Sequence, residues 1–356
     1  MAGVTGAEVN VGYAFSNTWG TPASVTRGAL IKSTAGLDGG PTMVDDDAFN
    51  QAFIGEGEVG DYAALTPEIG MQMRFEGAVP IWMAAAMGSA AAPVVLSSQA
   101  ANSLVAAQHV LTLAARPGKF LTLACDMGSP SQYVLENPAV KVRGFSVKVG
   151  ENGRMEISFT CISAKPVYDG AVNTNSTVAG VTAQTLSTRV YRNAGTFRLG
   201  LQSAGSLTAT DAVTIAKDLS FGVTVPMTTD DVVFGQSYII EPDVDGFPEF
   251  PVEITYATMN TISANSMAIA LKTGGVFKAD LTFTGANINS TTARNLLVQW
   301  PALQLYSFAA EAASHGKIRP TATFKAKQAS AAPTGMAFTQ PMRVTWVNAN
   351  STNLLS

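Results

Sequence analysis

The sequence predicts a mainly β protein in which one small fold occurs twice. The first observation is an internal repeat: a shift of 185 residues, without a gap, aligns Lys32 with Lys217 and Pro41 with Pro226. A match of this kind over roughly forty positions is hard to reach by chance. The second observation is a series of short segments with alternating apolar and polar residues, bounded by Gly, Pro or Asn, which is typical of strands. The length of 356 residues allows two domains.

The best-matched part of the repeat is a pair of long acidic segments. We call "VDDDAFNQAFIGEGEV" (44–59) the first acidic loop and "DDVVFGQSYIIEPDV" (230–244) the second. Loops usually drift faster than cores, so this match favours a role in contacts. The alternatives are that both loops cap the edge of a sheet, or that their charges are simply solvated. The candidate contact residues are Asp45, Asp46, Phe49, Gln51, Phe53, Glu56 and Glu58 in the first loop, and Asp230, Asp231, Phe234, Gln236, Tyr238, Glu241 and Asp243 in the second.

Turn residues predict the hairpins of the first half. "AVKVRGFSVKV" and "RMEISFTCIS" flank "GENG", which predicts a hairpin with its valines buried and Lys141, Arg143 and Lys148 mostly on a solvated face. "VLTLAA" and "FLTLACD" flank "RPGK", which predicts a second hairpin. "AVPIWMAAAM", from Ala78 to Met87, predicts a short helix with Pro in its first turn. We expect the Trp82 side chain on this helix to be buried in the core, with an anchor between subunits as the alternative.

The second half repeats this order with fewer residues between its helix and its last hairpin. We predict a first β domain (1–167), a linker rich in Thr and Asn (168–190), a second β domain (191–328) and a C-terminal arm or extra strand (329–356). The strand signal in the last segment is "MRVTWV".

Composition argues against several classes of function. Only 13% of residues are charged, which favours a surface partly covered by copies of the chain over a monomer with small polar faces. The net charge of −4 and the lack of a basic run argue against tight nucleic-acid binding. Pro80, Gly88 and Pro93 interrupt the uncharged segment 77–115, which argues against a membrane span. Cys125 and Cys161 lie in strand-like segments, so we expect buried thiols.

The sequence motifs for catalysis or metal binding lack the neighbouring residues that such sites need. "GEGEVG" (55–60) matches G-x-G-x-x-G, but its two glutamates would face the phosphate and no βαβ context follows. His109 and His315 lack ligand-spaced neighbours, and the consecutive Asp45–Asp47 do not alternate as calcium ligands do. We therefore expect no catalytic residue, no cofactor and no metal site, and a protein that is not an enzyme.

Three segments carry a resemblance to a known family. "VGYAFSNTWGTPASVTRGALI", "GEGEVGDYAALTPEIGMQMRFEGAVPIWMAAAMGS" and "GVFKADLTFTGANI" resemble successive blocks of the major tail tube proteins of long, non-contractile-tailed bacteriophages. The resemblance covers most of residues 8–325. It implies two tandem β-sandwich or half-barrel domains, each with one short helix and a long loop.

The family also implies a function and partners. Its sheets join side by side into rings, and the rings stack into a tube that holds the tape measure protein and later passes DNA without binding it specifically. Because the fold occurs twice, three chains would close a pseudo-hexameric ring, with six chains as the alternative. Tail terminator and distal tail proteins would complete the tail, which is assembled in the host cytoplasm and lies in the virion, without a membrane. The acidic loops would then meet the adjacent ring or face the lumen, and residues 329–356 would matter more for stacking than for folding.

Other functions remain open on the sequence alone. Within phages, a tail terminator or a capsid decoration protein is the nearest alternative. A cell-surface β-sandwich adhesin would also suit the richness in Thr, Ser and Asn. A glycan hydrolase would need two convergent carboxylates on rigid strands, whereas the acidic residues here cluster on loops.

Overall fold

The computed structural model describes residues 10–37, 41–45, 57–62, 64–99, 104–114, 119–126, 134–167, 173–178, 181, 189–213, 216–258, 269–310 and 318–356. Over these residues the chain is mainly β, as predicted. The longest helix described is α1 (Ala78–Met87), at the predicted position, and residues 269–273 form one further helical turn. None of the described helices has the length and apolarity needed to cross a membrane.

The first half contributes eleven strands. They are β1 (Asn10–Ser16), β2 (Arg27–Ala29), β3 (Ile31–Ala35), β4 (Pro41–Asp45), β5 (Gly57–Tyr62), β6 (Glu68–Gln72), β7 (Val94–Gln99), β8 (Leu104–Thr112), β9 (Phe120–Asp126), β10 (Val134–Val149) and β11 (Met155–Ser163), with α1 between β6 and β7. The second half and the C-terminal segment contribute β12 (Gly195–Leu201), β13 (Ala216–Thr224), β14 (Pro251–Tyr256), β15 (Val276–Asn287), β16 (Ala293–Ala309), β17 (Thr321–Ala326) and β18 (Arg343–Asn348).

Sixteen of these strands form one hydrogen-bonded, antiparallel sheet, and β4 pairs with β5 alone. The main path runs β2-β1-β9-β10-β13-β14-β17-β16-β18-β8-β7. On the other side of β10, β11 leads to β6 and β3, while β15 joins β16 to β12. The long strands β10 and β16 therefore each pair with three other strands.

Strand pairing repeats at the offset of the sequence repeat. β3 pairs with β6 through Ile31–Met71, and adding 185 to both numbers gives Ala216–Tyr256, a pair between β13 and β14. Each ladder has its irregularity at the next residue. β1 pairs with β2 from Val11–Ala29 to Tyr13–Arg27. Adding 185 to both numbers of the last pair gives Arg198–Ala212, which is also an observed bridge. The two halves thus share strand pairing, while the predicted domain boundaries stay a prediction.

The closing hairpin repeats at a smaller offset because the first half carries an insertion. Lys141–Ile162 of β10 and β11 becomes Gln304–Lys325 of β16 and β17 when 163 is added, and both pairs are observed. The β7–β8 hairpin accounts for the difference, since the second half passes directly from its helical turn into β15. The hairpin predicted around "GENG" is confirmed.

The two halves meet edge to edge where β10 pairs with β13, from Gly144–Thr224 to Val147–Phe221. The backbones approach closely here: a Cβ atom on Gly144 would lie 2.2 Å from the Val223 carbonyl oxygen. Glycine is therefore needed at this position for the two ladders to meet.

A buried apolar core supports the sheet. Trp82 on α1 is fully buried and packs edge-on against Tyr13 and Phe159, with ring centroids 5.7 and 5.4 Å away. Cys125 and Cys161 are free and buried, as expected, and burial raises the pKa of both thiols to about 12. At neutral pH both thiols stay protonated and behave as small apolar side chains.

Two local predictions were wrong. β8 and β9 do not pair with each other, because β7 and β18 occupy the two edges of β8 and β1 and β10 occupy those of β9. Lys141 does not lie on a solvated face, since only 7% of it is exposed. In both cases a segment distant in the chain, a strand for β8 and β9 and a loop for Lys141, takes the place that the local pattern assigned to a neighbour or to water.

The C-terminal segment supplies a central strand. β18 lies between β16 and β8, and Met342, Val344 and Trp346 are fully buried. This burial favours a role in folding, against the expectation that residues 329–356 matter more for stacking. Within the predicted linker, Asn175 is buried and donates its backbone N–H to Glu136 Oε2 over 2.8 Å.

Candidate functional site

The second acidic loop leaves the sheet between β13 and β14 and is closed by backbone hydrogen bonds. The Thr228 N–H donates to the Asp243 carbonyl over 2.9 Å, and the Ile240 N–H donates to the Asp231 carbonyl over 2.9 Å. The corresponding part of the first half is the β4–β5 hairpin, in which Asp45 lies opposite Gly57 and Val44 opposite Glu58. Both loops therefore begin and end as paired backbone.

The predicted contact residues of the second loop are mostly exposed. Asp230, Asp231, Phe234, Gln236 and Asp243 face solvent, Tyr238 is half-buried, and Glu241 is exposed but forms an ion pair. In the first loop, Asp45 ends β4 and Glu58 lies in β5. Asp46, Phe49, Gln51, Phe53 and Glu56 lie outside the described residues.

The second loop is anchored on the first half by a buried cation. Lys141 Nζ lies 2.9 Å from Glu241 Oε1 and donates to the Pro242 carbonyl over 2.7 Å. A buried ammonium group is tolerated only when it is paired and hydrogen-bonded, and the loop supplies both kinds of partner. Trp19 Nε1–H also donates, to the Ile239 carbonyl over 3.0 Å.

A small apolar cluster supports the same contact. Its buried members come from both halves, and Trp19 and Tyr238 pack against them. They are Ile162, Ala164, Val225, Met227 and Ile239. The base of the second loop is therefore fixed on the neighbouring half of the fold, which leaves its outer part free for other contacts.

The outer part of this loop presents apolar side chains to solvent. Phe234 is fully exposed, and Phe247, three residues beyond the loop, is 93% exposed. Val232, Val233 and Val244 are also exposed. Large exposed apolar side chains that follow one another in the chain, as Val232, Val233 and Phe234 do, favour a binding interface.

Sequence reasoning found the loop but missed its anchors and part of its surface. Lys141 alternates with valines, so its pattern is that of a solvated strand position, and nothing local signals Glu241 a hundred residues away. Phe247 could have been noticed, because an aromatic residue between Gly246 and Pro248 has little local packing to explain it.

The described residues contain no group of three or more His, Cys, Asp or Glu side chains placed to hold a metal ion. His109 is fully buried, its Nε2 lies 2.7 Å from the Asn350 carbonyl, and burial lowers its pKa. His109 thus holds the C-terminal segment against β8. The loop site presents apolar and acidic side chains to solvent.

No protein-family model matches the chain, and no curated protein matches it. The resemblance to tail tube proteins therefore stays a prediction.

Proposed function

We propose that the chain is a structural virion protein, the major tail tube subunit of a long-tailed bacteriophage. In this proposal it polymerises into stacked rings that form the conduit for DNA ejection. The rings enclose the tape measure protein, and tail terminator and distal tail proteins close the two ends of the tube.

The observation that carries the proposal is the junction between β10 and β13, where two units with the same strand pairing join edge to edge. An edge-to-edge contact of this type between chains, in a register of its own, would close a ring and leave no free sheet edge, which is otherwise a site of aggregation. Each chain supplies two units, so three chains give a pseudo-hexameric ring. Six chains per ring is the alternative.

The second acidic loop supports contacts between rings. Together with Phe247 just beyond it, the loop combines exposed apolar groups such as Phe234 with the acidic Asp230, Asp231 and Asp243. Apolar groups supply contact area, and any carboxylates that face the lumen would repel the phosphates of passing DNA. The chain would then guide DNA without binding it.

Negative-stain electron microscopy of the purified protein, with light scattering on the same sample, tests the proposal. Stacked rings or hollow tubes with three chains per ring are expected. Six chains per ring would keep the function and reject the trimer. Single rings that do not stack would favour a tail terminator, and a monomer at every concentration would favour an adhesin.

A matched pair of variants tests the loop. Phe234→Ser with Phe247→Ser should block the growth of tubes, because the exposed apolar area is lost, while the melting temperature stays unchanged. The control is Leu201→Ser, which removes an exposed apolar side chain at the end of β12. Tubes of normal length from the double variant would exclude the loop from ring contacts.

A further inference from the structure

We propose that the surface formed by Tyr306, Lys325 and Lys327 binds the β4–β5 hairpin of a second copy of this chain. We call these three residues the basic acceptor surface. The inference rests on the proposed function only in requiring that the chain associates with itself.

The structure already contains one example of this contact, within a single chain. The second acidic loop lies on Lys141, Ile162 and Ala164 of the first half. Because the pair Lys141–Ile162 corresponds to Gln304–Lys325, the equivalent place in the second half is occupied by Gln304, Lys325 and, two residues on, Lys327. The basic acceptor surface is therefore the second-half counterpart of a surface that binds a loop.

Both equivalent strand pairs carry a lysine, but on different strands of the pair. In the first half Lys141 on β10 meets Glu241, while its partner position on β11 is the apolar Ile162. In the second half the β16 position is Gln304 and the lysine lies across the ladder at Lys325. A positive charge is thus available at both equivalent pairs.

The acceptor surface is open and carries surplus positive charge. The side chain of Lys325 is 37% exposed, Tyr306 is 48% exposed and Lys327 is exposed. Both ammonium groups lie over the Tyr306 ring, 5.3 and 5.7 Å from its centroid. Glu249 lies 3.2 Å from Lys325, but an exposed pair of this kind contributes little to stability and is readily exchanged.

The β4–β5 hairpin has the complementary charge. Its two strands carry Asp45, Glu58 and Asp61 and no Lys or Arg. The hairpin has the same position in the first half of the chain as the second acidic loop has in the second half. The loop that docks within the chain meets an apolar cluster with one lysine, whereas the β4–β5 hairpin would meet two lysines and an aromatic ring. Complementary charge of this kind specifies the partner and its orientation.

The strand junction itself is not expected to repeat in the same register. Gly144 and Gly222, which let β10 and β13 approach, correspond to Ser307 and Leu37 at the offsets given above. Side chains at both positions would hold two backbones further apart. The specificity of the contact between chains therefore lies in the hairpin and the basic acceptor surface.

Charge reversal tests the proposal by sedimentation velocity over a concentration series. Lys325→Glu with Lys327→Glu should weaken self-association at least about tenfold, because two attractive contacts become repulsive. The control is Lys217→Glu with Lys272→Glu, which changes the net charge equally at two exposed positions of the same half and should associate as the wild type does. Circular dichroism and the melting temperature should match the wild type for both variants.

A complementary variant makes the test specific. Asp45→Lys with Glu58→Lys should also fail to associate alone, and an equimolar mixture with the Lys325→Glu, Lys327→Glu variant should form heterodimers. This inference is overturned if the Lys325→Glu, Lys327→Glu variant associates as strongly as the wild type, or if the mixture stays monomeric. Neither result affects the tube proposal. A wild-type protein that stays monomeric at the highest concentration overturns the self-association on which both depend.

Discussion

The helix of the first half is buried, whereas the helical turn of the second half is exposed, although both follow equivalent strands. Nine of the ten residues of α1 are buried, including Ala84. The position 185 residues later is Ile269, which is 61% exposed, and Leu271 beside it is also exposed. A larger apolar side chain therefore faces solvent where the first half buries an alanine.

The difference follows from what covers each helix. In the first half, α1 contacts β8 of the inserted hairpin, and the Met87 carbonyl accepts a hydrogen bond from the Ala114 N–H that follows β8. β18 then pairs with β8 and closes this side of the fold. The second half has no such insertion after its helical turn. One half is closed by its own chain, and the other keeps the apolar side chains of its helical turn exposed.

Removal of β18, which closes the first half, should have the largest effect on the stability of the fold. Deletion of residues 329–356 is expected to abolish cooperative folding, because it exposes β8 and β16 and removes several buried side chains. Trp346→Ala alone should lower the free energy of unfolding by about 3–5 kcal/mol. Urea denaturation followed by tryptophan fluorescence and circular dichroism measures both changes. A deletion variant with wild-type stability but no tubes would return the segment to the role of a stacking arm.

The junction between the halves can be broken at one residue. Gly144→Ala places a methyl group against the Val223 carbonyl and should cost about 1–3 kcal/mol. Gly205→Ala is the control, since nothing lies within 4 Å of the added carbon there. Equal unfolding midpoints for the two variants would mean that β10 and β13 are not in close contact.

Lys141, which anchors the second acidic loop, can be replaced and compared with Gln304, the equivalent residue of the second half. Lys141→Met should cost about 1–3 kcal/mol, because the Pro242 carbonyl loses its hydrogen bond, whereas Gln304→Met should change stability by less than about 0.5 kcal/mol. Hydrogen exchange should be faster across residues 229–244 in the first variant alone. Unchanged exchange in that segment would show that Lys141 does not hold the loop.

The inserted hairpin should make the first half sensitive to acid. Burial lowers the pKa of His109 below its ordinary 6.5, so the unfolded chain binds a proton before the folded chain does. This contribution to stability is complete above pH 6.5 and is lost as the pH falls towards the pKa of the folded state. His109→Gln keeps a donor for the Asn350 carbonyl and should flatten the decline in melting temperature below pH 6.5. Parallel pH profiles for the two proteins would exclude His109 as the source.

The exposed helical turn should give the smallest effect on folding. Ile269→Ala is expected to change the free energy of unfolding by less than about 0.5 kcal/mol, whereas Ile81→Ala on the buried α1 should cost about 2–5 kcal/mol. Thermal or urea denaturation compares them directly. Similar losses from both variants would mean that the two helices are equally covered.

Local pattern was sufficient for some elements and misleading for others. The predicted helix matches α1, and the GENG hairpin matches β10 and β11, because both depend on residues close in the chain. The predicted pairing of β8 with β9 failed because an arm more than two hundred residues away competes for the same edge. Lys141 was misassigned for a related reason, since its partner Glu241 belongs to the other half.

The sequence by itself determined the mainly β class, the repeat at 185 residues and its two acidic segments, because periodicity and internal similarity are properties of the order of residues. Only the tertiary structure decided that β10 joins β13, that β18 closes the first half, and that Lys325 and Lys327 lie together over Tyr306. The two strand pairings join residues distant in the chain, and the lysines meet Tyr306 across the β16–β17 ladder. Which strand takes a free edge depends on competition among all strands for hydrogen bonds and burial, and a local pattern does not record that competition.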